Sequence, residues 1–357
     1  MKIDLFLIHK SSIINSYNNQ QYKTQKALVK SCNKLTSVLC NWRENMGKLV
    51  DGSWVEGSII SSDGKGAYAR IPRSFRETIS QDHAVYKPQS GRYHLYVSYA
   101  CPWAHRTLIY RALKNLQDHI TVSVVHPDML DNGWVFDDSF KGATQDHLFN
   151  NKHLYEVYQQ AQPDISTSVT VPILWDKQTN TIVNNESSEI IRIFNTAFND
   201  LTNNTEDYYP KHLQTQIDEL NEEIYNNLNN GVYRTGFAKT QQSYDAAVKP
   251  LFKTLDKLDK LLDGKDFLVG DTLTEADIRL VPTLLRFDLV YYVHFKCSQK
   301  RIADYKNLSR YTKNLYQLDA IKNSTNFEHI KRHYYFSHES INPYRIVPFI
   351  ANFFEET

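Results

Sequence analysis

The chain has 357 residues, 41% of them apolar, enough to bury a full core and, by length, to form about two domains. Lys plus Arg number 41 and Asp plus Glu 40, so no global field draws the chain to nucleic acid or to an anionic membrane, and an anionic ligand must be held by a local site. The cysteines Cys32, Cys40, Cys101 and Cys297 form neither a zinc pattern nor a secreted disulfide framework, and no apolar run reaches the roughly 18 residues of a membrane helix.

Residues 1–45 carry several lysines, a single arginine (Arg43) and only Asp4 and Glu44 as acids; they read as an extension, with apolar residues at helical spacing over 22–42. A transit peptide would carry more arginine. Residues 51–92, rich in Gly, Ser and charge, read as a meandering arm. Order begins with the alternation of 93–98, which predicts a strand with Leu95 and Val97 on one face. Ala104, Leu108, Ile109, Ala112, Leu113 and Leu116 then form the stripe of a helix, with Arg106, Arg111 and Lys114 between its members.

Cys101 stands at that strand-to-helix junction, in Y-V-S-Y-A-C-P-W-A-H-R. Pro102 suits the first helical position because it has no N–H to lose, and the open N–H groups and positive dipole end of the first turn favour a thiolate. A cysteine serving only as a small buried apolar residue would not need this position. Ala104 occupies the place of the second cysteine of a C-x-x-C pair, so the resolving thiol must come from outside.

A β-branched run over 121–125 completes strand, helix and strand, which predicts a right-handed βαβ unit with parallel strands. A long polar stretch follows, with Trp134 in D-N-G-W-V-F and a short helix near 154–158. The runs 169–175 and 181–185, joined by turn residues, predict a hairpin. Pro172 inside the first run removes a ladder donor, so it belongs at an edge or beside a ligand, where a cis peptide presents backbone groups outward. Residues 186–198 read as a helix for which Ser187 and Ser188 suit the N-cap. Beyond 200 the pattern is helical: stripes over 213–228 and 244–262, then a capping-box pair, Thr274 and Asp277, with Leu273 and Ile278 as its hydrophobic staple.

The turn C-P-W-A-H-R, the strand T-V-P-I-L-W-D, the helix start N-N-E-S-S-E-I-I-R, the helix G-D-T-L-T-E-A-D-I-R-L and the segment H-F-K-C-S together resemble the glutathionyl-hydroquinone reductases, the Xi class of glutathione transferases, close to the omega class. The resemblance runs from about 54 to 348. It implies an α/β plus all-α fold: an extension over 1–50, a thioredoxin-like glutathione-binding domain with its leading arm over 51–200, an all-helical substrate domain over 201–357, and a homodimer.

It also implies roles. Cys101 is the catalytic nucleophile. The backbone of Val171 pairs with the cysteinyl part of glutathione as an added strand would. Ser187 cradles the γ-glutamyl carboxylate while Glu186 accepts its ammonium. Trp134 lies over the bound tripeptide. Tyr233, in G-V-Y-R-T-G-F-A, and Tyr334, in K-R-H-Y-Y, stand beside the quinone-derived ring. Arg332 and His333 either place a positive charge near a phenolate oxygen or belong to a solvated face, and Arg106 is either a helper or a surface charge. In one departure, the resemblance implies a basic residue just before the T-V-P strand, where this chain has Thr167-Ser168-Val169; if that charge holds a glutathione carboxylate, binding here is either weaker or uses another cation.

The expected activity is removal of glutathione from glutathionyl-hydroquinones through a Cys101 mixed disulfide, giving hydroquinone and oxidised glutathione, with glutathione as co-substrate, no bound cofactor and no metal. Two other readings stay open: an omega-like thiol transferase or dehydroascorbate reductase, which needs the cysteine but not the tyrosines, and a non-catalytic binding or scaffold protein of the same fold. Expected partners are glutathione, aromatic glutathione conjugates and a second copy of the chain, with neither nucleic acid nor membrane. The expected compartment is the cytoplasm, the amino-terminal extension leaving mitochondria open.

Overall fold

The computed structural model describes residues 47–56, 61–62, 68–69, 73–350 and 354, so the helix expected over 22–42, with Cys32 and Cys40, lies outside the described residues. Its strands are β1 (Lys48–Val50), β2 (Ser53–Val55), β3 (Ser61–Ser62), β4 (Tyr68–Ala69), β5 (Tyr93–Val97), β6 (Ile120–Val124), β7 (Thr167–Ser168), β8 (Ile173–Asp176) and β9 (Thr181–Asn184). The helices of the sheet-bearing half are α1 (Pro102–Leu113), α2 (Leu154–Ala161), α3 (Ser187–Thr196) and α4 (Asn199–Thr202). There follow α5 (Gln214–Ile224), α6 (Gly231–Gly236), α7 (Gln241–Leu261), α8 (Glu275–Arg286), α9 (Lys306–Tyr316), α10 (Asp319–Lys322) and α11 (Phe327–Ser337).

The main sheet runs β6-β5-β8-β9. β5 is parallel to β6, with Leu95 opposite Val122, and antiparallel to β8, with Leu95 opposite Leu174. The predicted βαβ unit is therefore present. Every residue of β5 is buried, because the strand is covered on both faces rather than on the one that its alternation suggested. His94 is satisfied inside by Thr121 Oγ1 at 2.6 Å and Ser123 Oγ at 2.9 Å, and burial pushes its imidazole down to about 3, leaving it neutral. After the sheet the chain is helical, which makes the architecture a thioredoxin-like domain followed by an all-helical one.

Two segments depart from the sequence reading. The arm expected over 51–92 begins as a hairpin: Asp51 (φ 47) and Gly52 (φ 73) turn β1 into β2, as an Asp-Gly pair between apolar-bearing strands can. β1 then pairs with β7, so Thr167 and Ser168 belong to a separate three-stranded sheet and β8 starts only at Ile173, after the cis Val171–Pro172 bond.

The two halves are joined at a buried carboxylate. Glu275, at the start of α8, accepts from Arg192 Nε of α3 at 3.0 Å, Arg279 Nη1 at 3.2 Å and Asn221 Nδ2 of α5 at 3.1 Å. Asp277 Oδ2 accepts from the Thr274 N–H at 2.8 Å and hydroxyl at 2.9 Å, the expected capping pair. Among the described residues no helix is long and apolar enough to cross a membrane.

Asp176 ends β8 and is gripped by Arg92 Nε at 2.8 Å and Nη2 at 2.5 Å, with side-chain exposures of 5% and 0% for the two partners. Burial alone would raise the Asp176 carboxyl, but the Arg92 fork, the Gln178 N–H and the Thr179 hydroxyl outweigh it and hold the group below the usual carboxylate range. With the folded-state value depressed, the pair contributes stability above about pH 4 and loses it as the pH falls through the folded value. Asp176→Asn is expected to cost about 3 kcal/mol or more in urea unfolding at pH 7, because it leaves the Arg92 charge buried and unpaired. The deficit should shrink on acidification. An equal deficit at pH 7 and at pH 3 would contradict this account.

Candidate active site

Cys101 is the N-cap of α1, in extended backbone conformation (φ −78, ψ 119), with Pro102 directly after it and no acidic residue in the first turn. Its N–H donates to Ser98 O at 3.1 Å and its carbonyl accepts from His105 N at 3.0 Å, which fixes the turn. The side chain is a partly exposed free thiol, and Sγ lies 3.7 Å from Val171 O. The fold thus brings the thiol to the residue before the cis proline.

One buried tyrosine, Tyr158, ties Val171 to the next loop. Its hydroxyl donates to Thr170 O at 2.9 Å and accepts from Thr170 N at 3.3 Å and Asn185 Nδ2 at 3.2 Å. The segments carrying Val171 and Glu186 are therefore fixed relative to each other through a residue of the short helix α2. Glu186, not Ser187 or Ser188, caps α3: its Oε1 accepts from Ser188 N at 3.1 Å and Ser188 Oγ at 3.0 Å, with Ser187 Oγ at 3.4 Å. Ser187 occupies the first helical position and is 2% exposed, while the next two N–H groups of the helix, those of Ser188 and Glu189, are taken by the side chain and the carbonyl of Glu186. Where the resemblance implied a basic residue, Ser168 is buried in β7 and the residue opposite it in register is Lys48 of β1, which is exposed.

The helical half supplies hydroxyls. Tyr233 and Tyr334 meet with their oxygens 2.5 Å apart, and Tyr291, absent from the sequence reading, stands 3.0 Å from Tyr334. Tyr334 and Tyr291 are buried, and Tyr233 is the member partly open to solvent. Burial drives Tyr233 and Tyr334 well above the ordinary phenol value and pushes Tyr291 up to about 12, so all three stay protonated at neutral pH. A negative charge on Cys101 adds to the rise at Tyr233 and Tyr291.

Three other expectations are corrected or narrowed by burial. Arg332 is committed to Asp128 through two bonds of 2.7 and 2.8 Å. His333 donates Nδ1–H to Pro127 O at 2.8 Å, and burial pushes its imidazole down to about 4 against that bond, so it is neutral; neither residue supplies a positive charge to a phenolate. Arg106 is 2% exposed, no surface charge: it bonds Asn229 Oδ1 at 2.8 Å and Arg279 O at 2.9 Å. Trp134 is 7% exposed and stacks on the His333 ring at 4.8 Å, forming a wall with the residue that precedes Tyr334.

The family model for the glutathione S-transferase N-terminal domain matches residues 100–197, and that for the C-terminal domain residues 241–314. The glutathionyl-hydroquinone reductase YqjG of Escherichia coli is 52% identical over 85% of this chain and 94% of its own. Its glutathione-bound structure superposes with a TM-score of 0.79 over 87% of this chain and 97% of that one, at 49% identity. The glutathionyl-hydroquinone reductase PcpF of Sphingobium chlorophenolicum is 49% identical over 85% of this chain and 96% of its own. The crystal structure of the glutathione-S-transferase Xi from Phanerochaete chrysosporium gives a TM-score of 0.80 at 52% identity, covering 82% of this chain and 96% of that one.

Proposed function

The chain belongs to the Xi class of glutathione S-transferases, the family of the glutathionyl-hydroquinone reductases, and on that premise we propose that it strips glutathione from glutathionyl-hydroquinones through a mixed disulfide on Cys101. Two observations carry this reading: the N-cap thiol of Cys101 in the sheet domain, and in the helical domain a cluster of protonated tyrosines, two of which feel the charge of that thiol. Among the described residues the other cysteine is Cys297, fully buried, with its thiol pushed far up by that burial, so it cannot act as a resolving thiolate. A second glutathione takes that part.

The aryl carbon that bears sulfur is a poor leaving group until it is protonated to sp³ in a keto tautomer. Tyr233, the tyrosine reachable from solvent, is the proton donor and then holds the ring oxygen, with Tyr334 and Tyr291 behind it. The Cys101 thiolate attacks the glutathionyl sulfur; the carbon–sulfur bond breaks, its electron pair leaves with the ring as the phenolate of the hydroquinone, and a Cys101–glutathione disulfide forms. The phenolate takes up a proton. A glutathione thiolate then attacks the glutathionyl sulfur of the mixed disulfide, releasing oxidised glutathione and the Cys101 thiolate. Per turnover two glutathione sulfurs are oxidised and one ring carbon is reduced.

The tripeptide is held by the Val171 backbone, the N–H and hydroxyl of Ser187 and the carboxylate of Glu186, with Trp134 as the wall. Lys48 is the cation that stands in for the missing basic residue, since cross-strand partners in a ladder share a face. The enzyme works as a homodimer in this reading.

Glu186→Gln keeps an oxygen for the helix cap but removes the charge, and is expected to raise the glutathione KM about tenfold or more, as loss of one charge-assisted hydrogen bond does. Lys48→Ala, at an exposed position, should raise it no more than about fivefold. Steady-state titration of glutathione at saturating glutathionyl-menadiol measures both. An unchanged KM in Glu186→Gln would remove that residue from the binding site. The activity itself is tested by converting glutathionyl-menadiol with glutathione, with menadiol and oxidised glutathione expected in equal amounts; formation of oxidised glutathione without menadiol would defeat the proposal.

A further inference from the structure

The C-terminal residue of α8, Arg286, has no exposed surface. Its guanidinium donates Nε to Ala100 O at 3.0 Å, Nη2 to Tyr99 O at 2.9 Å and Nη1 to Pro282 O at 2.8 Å, with His105 Nδ1 3.2 Å from Nη1. His105 is held neutral by burial and by the Arg286 charge, so its Nδ1 accepts from Arg286 while Nε2–H donates to Ser324 Oγ at 3.1 Å. Every partner of this cation is thus uncharged. Among the described residues no carboxylate pairs with it. Bringing an arginine into the interior costs several kcal/mol, and carbonyl dipoles offset only part of that cost.

The position of the charge gives it a use. Tyr99 and Ala100 are the two residues before Cys101, so the helical domain grips the turn that presents the thiol. Directly after Arg286 comes a π-helical turn, Phe287–Tyr291, closed by Tyr292 N to Phe287 O at 2.8 Å. In a regular α-helix residues five apart point about 140° apart; the wider turn brings Arg286 and Tyr291 closer to one face. The Arg286 charge also acts on Tyr334, as it does on Tyr291.

We propose that Arg286 is a positioning residue for the reaction: it holds the Tyr99 and Ala100 carbonyls that aim Cys101, and it supplies the buried positive charge opposite the negative charge that forms between the thiol and the tyrosines. This rests on Cys101 as the nucleophile. It deepens that reading by assigning the missing counter-charge to the helical domain. A planar fork suits the role because its Nε and Nη2 donors stand in a fixed geometry toward the two carbonyls, which the single rotatable ammonium of a lysine does not provide.

The test follows Cys101 alkylation by iodoacetamide at pH 7, located by peptide mass spectrometry, beside kcat and glutathione KM with glutathionyl-menadiol, in Arg286→Gln and Arg286→Lys. Loss of the charge in Arg286→Gln should slow alkylation about tenfold or more and lower kcat at least as much, with the glutathione KM within about threefold of the parent. Arg286→Lys should recover alkylation to within about threefold while kcat stays about tenfold low, because the charge returns without the fork. A folded Arg286→Gln, checked by its thermal melt, that alkylates like the parent would overturn the proposal. If that variant does not fold, Arg286→Lys decides: parental kcat overturns it. Alkylation needs neither glutathione nor hydroquinone, so parental alkylation in Arg286→Gln strikes Arg286 alone, whereas reductase activity in a variant lacking Cys101 strikes the nucleophile itself.

Discussion

Cys101→Ser is expected to lower reductase turnover by about a thousandfold or more while leaving glutathione affinity within about threefold of the parent. The two halves of that expectation come from different parts of the fold. The mixed disulfide needs a sulfur at the N-cap of α1, and a serine hydroxyl in the same position has no disulfide to form. The proposed binding contacts belong to other segments, the backbone at Val171 and the start of α3, which Tyr158 holds together without help from the thiol. Turnover of glutathionyl-menadiol and calorimetric titration with glutathione separate the two. Loss of binding equal to the loss of turnover would mean that Cys101 is part of the binding site rather than the reacting group.

Tyr233→Phe should cost about a hundredfold in kcat on glutathionyl-menadiol, in line with removal of a general acid, and less than about threefold on a small mixed disulfide of glutathione. The contrast follows from the leaving group. A thiolate leaves sulfur unaided, whereas a ring carbon must first be protonated. Tyr334→Phe should be milder, because Tyr334 is buried behind Tyr233, and the double variant should fall short of the product of the single effects, since the two hydroxyls share one 2.5 Å contact. All three phenols are raised by burial, so the donor keeps its proton across pH 6 to 9, and a loss of rate in that window would come from another group. Equal losses on both substrates would favour the omega-like thiol transferase reading.

What was legible in the sequence was whatever leaves a mark on the local backbone. Cys101 could be found because a strand-like alternation stops, a proline follows and a helical stripe begins. Pro172 stood out because a ladder cannot use it, and the Thr274–Asp277 cap because its spacing is that of a helix start. Residues acting through long-range burial left no such mark. Arg286 ends α8 with nothing in its spacing to set it apart from an ordinary terminal cation, yet it is fully buried against the Tyr99–Ala100 turn. Tyr291 and Tyr158 were two among 23 tyrosines, and nothing in their spacing distinguished a hydroxyl hub from a packed ring. Arg332 and His333 showed the reverse error, as charged types whose contacts with Asp128 and Pro127 remove them from the chemistry. The stretch 137–162 has little periodicity outside its one short helix because much of it is tied by single bridges and side chains, among them Val135 to His153 and the Asp146 carboxylate receiving Leu148 and Asn151 N–H groups.

The central claim, that the sulfur of the leaving glutathione passes to Cys101, is open to direct weighing. The protein is exposed to one equivalent of glutathionyl-menadiol without free glutathione, quenched in acid, and the intact mass and peptides are read. The account predicts one added glutathionyl group, on the Cys101 peptide, with one menadiol released, and its disappearance on adding glutathione as oxidised glutathione forms. Menadiol release with Cys101 unmodified would contradict it.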